Sequence, residues 1–291
     1  MHELRFPRPV PGAEPTAGGG YALRWQGAAL MGIVNVTPDS FSDAGRLFDP
    51  DIAVAEAKLM RAAGARFLDV GGESSRPGAE PLSATLELER VLPVIRRLSQ
   101  ETDAVISVDT YKPEVAAAAL KEGAHLINDI RGLPEDMRAL CAAAGAPAII
   151  MHMQGEPRTM QHEPSYQDVA TEVFGFLDER AHLALAAGVP DVILDPGIGF
   201  GKTIDHNLVL LRELDRLVAC GHPVLVGASR KKTIEYLTGA REPGARDPGS
   251  IALHLFSQQK GAALLRVHNV ADHAQALAAW QAVAGPDGAR G

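Results

Sequence analysis

Met31-Gly32-Ile33-Val34-Asn35-Val36-Thr37-Pro38-Asp39-Ser40-Phe41-Ser42-Asp43 is the stretch from which the fold can be read. It starts apolar, as a buried strand does. It breaks at Thr37-Pro38, because proline has no ladder donor and pushes the preceding residue out of helix. Asn35 therefore stands at the carboxyl end of a strand, and a loop of hydroxyls and carboxylates follows. In α/β proteins that end of the sheet is where ligands bind.

Working outward, seven more short apolar runs appear, so that strands are expected at 28–34, 66–70, 104–108, 124–127, 147–151, 191–194, 223–227 and 262–267. Amphipathic, alanine-rich segments alternate with them and predict helices at 50–63, 83–99, 113–122, 135–144, 166–187, 206–219, 248–259 and 271–283. Pro50, Pro113 and Pro134 suit first turns, and Gly64, Gly123, Gly145, Gly188 and Gly221 suit helix ends. Repeated strand–helix units require a parallel sheet. Eight of them favour a closed (β/α)8 barrel, a TIM barrel, over an open doubly wound sheet, and about 250 residues suffice for one such domain. No GxGxxG opens the second unit, against a Rossmann fold. The barrel is expected over 21–285, with Tyr21 to Gln26 as a short preliminary strand. Residues 1–20, rich in proline and glycine, are expected to be an irregular lead-in, and 286–291 a frayed tail.

Composition narrows the function. The 291 residues are 46% hydrophobic and 22% charged, ordinary for a soluble globular protein. A net charge of -8 argues against nucleic acid or an anionic membrane as the main partner. No apolar run of about 20 residues is present, and the N-terminus lacks the apolar core of a signal peptide. A cytoplasmic protein is expected. The two cysteines, Cys141 and Cys220, read as inert reduced thiols in helices. No HxH, HExxH or CxxC array suggests zinc, and no GxSxG suggests acyl transfer.

The strand ends carry the chemistry. In chain order they read Asn35; Asp69, leading into Gly71-Gly72-Glu73-Ser74-Ser75-Arg76-Pro77-Gly78; Ser107-Val108-Asp109-Thr110; Asn128-Asp129; His152; Asp195-Pro196-Gly197-Ile198-Gly199-Phe200-Gly201-Lys202; Gly227-Ala228-Ser229-Arg230-Lys231-Lys232; and Arg266-Val267-His268-Asn269. The opposite ends are plain Gly-Ala or Pro turns, an asymmetry that marks the active face of a barrel. Asp109, Asn128 and Asp195 are acceptors suited to a flat ligand rich in N–H donors. Arg76, Arg230, Lys231, Arg266 and His268 are donors, and imply an anion near the loops after strands seven and eight. Asn269 suits the cap of the final helix. A single strand-end aspartate is more often a cap or a loop hydrogen bond. Asp69 and Asp129 stand nearest that reading, Glu73 equally suits a structural partner of a loop amide, and His152 reads as a packing histidine.

These motifs together, in this order over residues 28–285, resemble the dihydropteroate synthases. Such enzymes join p-aminobenzoate to 7,8-dihydropterin-6-ylmethyl diphosphate on a (β/α)8 barrel. The resemblance implies Asp109, Asn128 and Asp195 on the pterin edge and Lys231 on its carbonyl side. It implies Asn35, Ser75, Arg266 and His268 on the diphosphate, Mg2+ between the diphosphate and Asn35, and further substrate contacts from Arg76, Phe200, Lys202, Ser229 and Arg230. Lys231, Arg266, His268 and Asp109 would be catalytic. The Asp39–Asp43 and Arg76 loops would close as lids, and a homodimer is implied, with Phe256 and Trp280 as candidate contacts. On that reading Arg266→Ala would weaken diphosphate retention and leave the bare pterin bound. Lys232 stands where relatives vary and some carry serine; either it pairs with the aminobenzoate carboxylate or the N-terminus of the following helix alone holds that group. A pterin-dependent methyltransferase barrel would share the acceptors but leave the basic cluster without a task; a silent pterin-binding paralogue would share both.

Overall fold

The computed structural model describes residues 1–37, 49–74 and 79–284. The chain opens with order where an irregular lead-in is expected. β1 (His2–Phe6), β2 (Glu14–Pro15) and β3 (Tyr21–Trp25) form a three-stranded antiparallel sheet with β3 in the middle. The reason is an alternation that the flanking prolines obscure: Leu4, Phe6, Leu23 and Trp25 all point one way and are buried. Each such side chain contributes roughly 2 kcal/mol when buried, enough to fold a segment whose turn residues look disordered.

The apolar runs become β4 (Ala29–Asn35), β5 (Ala65–Gly71), β6 (Val105–Asp109), β7 (Leu126–Asp129), β8 (Ala148–Met151), β9 (Val192–Asp195), β10 (Leu225–Val226) and β11 (Leu264–Val267). All pair in parallel in the order β10-β11-β4-β5-β6-β7-β8-β9, and a parallel bridge between Leu194 and Val224 joins the two ends. The ring is therefore the expected eight-stranded barrel.

Around it stand α1 (Pro50–Ala62), α2 (Ala84–Glu101), α3 (Pro113–Lys121), α4 (Glu135–Ala144), α5 (Val169–Ala186), α6 (Ile204–Arg212), α7 (Leu214–Val218), α8 (Lys232–Thr238), α9 (Asp247–Gln259) and α10 (Val270–Ala284). Two departures have local causes. The segment expected as one helix over 206–219 starts earlier, at a capping box in which Thr203 and His206 satisfy each other's backbone, and breaks at Glu213 into α6 and α7. The seven-residue α8, ended by left-handed Gly239, is too short to give a periodic signal.

Strand side chains alternate with period two, and here that alternation separates two cores. Met31, Phe67, Val105, Leu126, Ile149, Ile193, Leu225 and Leu264 share one cluster with Leu4, Phe6, Leu23 and Trp25. They are the floor of the barrel, stoppered by the N-terminal sheet. Leu68, Ile106, Ile127, Ile150, Leu194, Val226 and Leu265, of opposite parity, pack outward against the helices in a second cluster. The inward positions one step above the floor are Ile33, Asp69, Ser107, Asn128, Met151, Asp195, Gly227 and Arg266. At this level the barrel interior turns polar.

Candidate active site

Arg266 and Asp69 face each other across this polar layer. Arg266 Nε donates to Asp69 Oδ2 at 2.6 Å, and Arg266 Nη2 donates to Asp109 Oδ2 at 2.7 Å. Asn128 Nδ2 donates to the same Asp69 oxygen at 2.9 Å, so its carbonyl oxygen is the group it can offer a ligand. Asp69 is fully buried, and its Oδ1 and the neighbouring Ser107 Oγ have no hydrogen-bond partner among the described residues. One guanidinium thus serves two carboxylates. Burial, only partly offset by Arg266 and reinforced by the charge of Asp69, pushes the Asp109 carboxyl up to about 7.

Asp195 completes the layer. Its Oδ1 accepts the Gly197 amide at 2.7 Å. Burial pushes its carboxyl up to about 6, against that hydrogen bond and the charges of Lys231, Arg266 and Lys202. Gly227 occupies the inward position beside it. A Cβ there would meet nothing closer than Arg266 Cβ at 3.9 Å and Asp195 Oδ2 at 4.0 Å, so the missing side chain leaves room for a flat ring between these two.

The loop after β9 forms one wall. Gly197 has φ 66°, and a Cβ on it would lie 1.9 Å from His152 O, so glycine is obligatory there. Lys202, expected among the substrate contacts, lies instead beneath this loop and is 2% exposed. Its ammonium reaches His152 Nδ1 at 3.0 Å, His152 O at 3.2 Å and Phe200 O at 2.9 Å, which makes it a strut. Burial lowers it to about 7 and lowers His152 to about 3, so the imidazole is neutral and accepts. Above the strut, Lys231 Nζ sits 4.0 Å from the centre of the Phe200 ring, a cation–π contact that places both at the mouth.

The residues expected to face an anion beside the last two strands lie on the loops after β10 and β11. Ser229 Oγ and His268 Nδ1 are 2.9 Å apart, and the His268 amide donates to the same Ser229 oxygen at 3.2 Å. Arg230, expected as one of the open anion donors, is clamped from behind. Its Nε and Nη2 donate to Asp247 at 2.7 and 2.8 Å. Its backbone has φ 58°, a left-handed conformation rare for a side chain of this size. Ser250 Oγ on its amide and Arg246 Nη1 on its carbonyl, each at 3.0 Å, hold it there. Asn269 caps α10 as its position suggests, accepting the Asp272 amide at 3.1 Å. Asn35 ends β4 on the inward parity, half-buried at the rim.

Asp109, Asn128, Asp195, Phe200, Ser229, Lys231, Arg266 and His268 stand at one end of the barrel, with Asn35 on the same rim. Ser75, Arg76 and the Asp39–Asp43 loop lie outside the described residues. Asp69 does more than its place in the sequence suggests. A lone strand-end aspartate reads as a cap, but its parity with Phe67 and Gly71 turns it inward and makes it the centre of the polar layer. Asp129, of opposite parity, keeps to the expected loop role and accepts the Arg131 amide at 2.7 Å. Glu73 does bind a loop amide, that of Leu82 at 3.3 Å; it also accepts from the Tyr111 hydroxyl and pairs with Lys112, which is shared with buried Glu87. Burial pushes the Cys141 thiol up to about 12, consistent with an inert role.

Such a layer has acceptors in excess at the bottom and donors at the rim. It can grip a planar heterocycle by its N–H edge and hold a phosphate-bearing arm at the mouth. Among the described residues no group of three His, Cys, Asp or Glu could hold a metal by itself.

The profile of the pterin binding enzyme family matches residues 31–268. Dihydropteroate synthase of Escherichia coli strain K12 is 47% identical over 252 residues, 85% of this chain and 89% of that protein. Dihydropteroate synthase from Thermus thermophilus, solved in complex with 4-aminobenzoate, aligns with a TM-score of 0.82 at 48% identity, over 90% of this chain and 96% of that one. Dihydropteroate synthase from Xanthomonas albilineans, solved in complex with 7,8-dihydropteroate, aligns with a TM-score of 0.81 at 44% identity, over 90% and 95% of the two chains.

Proposed function

The chain belongs to the dihydropteroate synthases of the pterin-binding enzyme family, and on that premise we propose how its own residues carry the reaction. The enzyme is a transferase that forms a C–N bond. It condenses 7,8-dihydropterin-6-ylmethyl diphosphate with p-aminobenzoate and releases 7,8-dihydropteroate and diphosphate, in folate biosynthesis.

Asp195, Asn128 and Asp109 take the donor edge of the pterin, and Lys231 takes its carbonyl. The observation that carries this reading is the inward layer of Asp69, Asn128, Asp195 and Arg266 around the space left by Gly227. Arg266 balances the charge of Asp69 and Asp109 and adds positive charge towards the mouth. Ser229 and His268 hold the diphosphate.

The C–O bond to diphosphate breaks first, and its electron pair leaves with the diphosphate. The electron-rich dihydropterin stabilises the methylene cation, and the amine of p-aminobenzoate then supplies the pair for the new C–N bond and loses a proton. Preorganised donors aimed at the leaving charge supply the acceleration. Phe200, under the Lys231 ammonium, forms the apolar wall for the incoming ring.

Magnesium fits this donor set on one condition, that the diphosphate supplies oxygen ligands. Asn35 offers a neutral oxygen of the kind magnesium takes, and the ion usually completes its shell with phosphate and water. Bound there, it would neutralise the departing charge. A homodimer is also part of our reading, supported by the exposed Tyr236, Leu237 and Phe256 on α8 and α9. So is a cytoplasmic location, in keeping with two unpaired thiols and with no described helix long and apolar enough to cross a membrane.

Titration calorimetry with a bare pterin tests the site. We expect measurable affinity in the wild type and its near-complete loss in Asp195→Asn, which presents an amide donor where an acceptor is required. Equal affinity in the two proteins would refute the assignment.

A further inference from the structure

Ser229 and His268 belong to different loops, yet their side chains meet at 2.9 Å. Behind them lie His254 on α9 and His273 on α10, 0% and 1% exposed and outside the mechanism above. The Ala228 amide donates to His254 Nε2 at 3.1 Å. That nitrogen is therefore the acceptor, and the proton of a neutral ring sits on Nδ1. His254 Nδ1 lies 2.9 Å from His273 Nε2, and His273 Nδ1 lies 2.6 Å from Asn269 O. One assignment satisfies the three contacts of the series: each ring carries its proton on Nδ1. Burial lowers the pKa of both rings, which favours the neutral forms this series requires.

The two ends of the series are informative. Ala228 precedes Ser229, and its carbonyl accepts the Lys231 amide at 3.3 Å. Fixing the Ala228 peptide therefore fixes the turn that presents Ser229 and Lys231. Asn269 follows His268 and caps α10. A second tie runs nearer the surface, from Arg230 through Asp247 to Asn269 Nδ2 at 3.2 Å. An apolar residue at 254 would leave the Ala228 amide without its acceptor, which is costly at a buried position.

We propose that His254 and His273 are positioning residues: two neutral imidazoles in series hold the Ala228–Ser229 and His268–Asn269 loops at the separation that lets both grip the diphosphate. The proposal rests on the reading of Ser229 and His268 as diphosphate ligands. It predicts that the two histidines act as a unit and affect the diphosphate end of the site, which both loops grip, more than the pterin end, which the same turn reaches through Lys231 alone.

The test compares the wild-type enzyme with His273→Asn, His254→Gln and the double variant. Inhibition by inorganic diphosphate and the KM for the pterin diphosphate are expected to weaken about tenfold, the worth of one unmade buried hydrogen bond. The affinity for a bare pterin should fall by less than the affinity for diphosphate, and the double variant should be no worse than the weaker single one. Imidazole nitrogen shifts of the wild-type enzyme should show both protons on Nδ1, a readout that holds even if His254→Gln fails to fold. Unchanged diphosphate affinity, an equal loss for every ligand, or a proton on Nε2 of either ring would overturn the relay. Wild-type protein that forms product alongside a normal His273→Asn variant sinks the relay alone. Wild-type protein that neither forms product nor binds diphosphate sinks the reading of the site as well.

Discussion

Arg266 and Asp69 stand 197 positions apart in the chain and pair at 2.6 Å inside the barrel, where Asp69 has no solvent exposure. The pair changes what Arg266 is expected to do. The sequence suggests a diphosphate ligand whose loss would spare the bare pterin. The structure commits two of its three nitrogens to Asp69 and Asp109, carboxylates of the polar layer that we propose takes the pterin. Arg266→Ala should therefore weaken bare-pterin binding as well as diphosphate binding. It should also lower unfolding free energy by about 3–5 kcal/mol, because it leaves buried charge uncompensated. Urea unfolding and calorimetry measure the two effects. Intact stability with intact pterin affinity would contradict the role of the pair.

Asp195 gives a pH signature. To accept two N–H bonds it must be ionised, and burial moves its carboxyl from 3.8 up to about 6. Bare-pterin affinity should thus fall as pH drops from 7 to 5, by roughly tenfold for a group of that pKa. The stability contribution has the opposite slope. Between 3.8 and about 6 the folded protein holds a proton on Asp195 that the unfolded chain has released, so this group makes stability fall as pH rises through that window. Calorimetry at a series of pH values, with unfolding curves at the same values, checks both signs.

Much of this is legible in the sequence, and the gaps have physical causes. Strand positions follow from apolar runs, and Asp109, Asn128 and Asp195 from their place at strand ends. Asp69 is easily undervalued because a lone aspartate looks like a cap; its parity with Phe67 is the signal that separates it from Asp129. The clamping of Arg230 by Asp247 and the burial of Lys202 against His152 depend on contacts between loops 17 and 50 residues apart, which spacing does not encode. The His254–His273 series joins two helices and leaves no motif. The N-terminal strand is hidden by the prolines around it.

That strand carries a prediction of its own. Leu4 is fully buried in the floor cluster with Phe67 and Leu264. Leu4→Ala should cost about 3 kcal/mol of stability, within the range for a buried leucine. Pterin affinity should hold, because the floor lies below the polar layer. A denaturant midpoint unchanged by the substitution would mean that the stopper is not part of the cooperative fold.

Lys232 is exposed at the first position of α8, one residue beyond Lys231. If it meets the carboxylate of p-aminobenzoate, Lys232→Ser should raise the KM for that substrate several-fold at low ionic strength and less at high salt, as screening dictates. An unchanged KM at low salt would remove Lys232 from the aminobenzoate site.

Turnover is the most direct measurement of all. Purified protein, supplied with 7,8-dihydropterin-6-ylmethyl diphosphate, p-aminobenzoate and magnesium, should form 7,8-dihydropteroate and diphosphate in equal amounts, measured by chromatography. Folded protein that binds the pterin yet forms no dihydropteroate would contradict this mechanism and mark the chain as a silent pterin-binding relative.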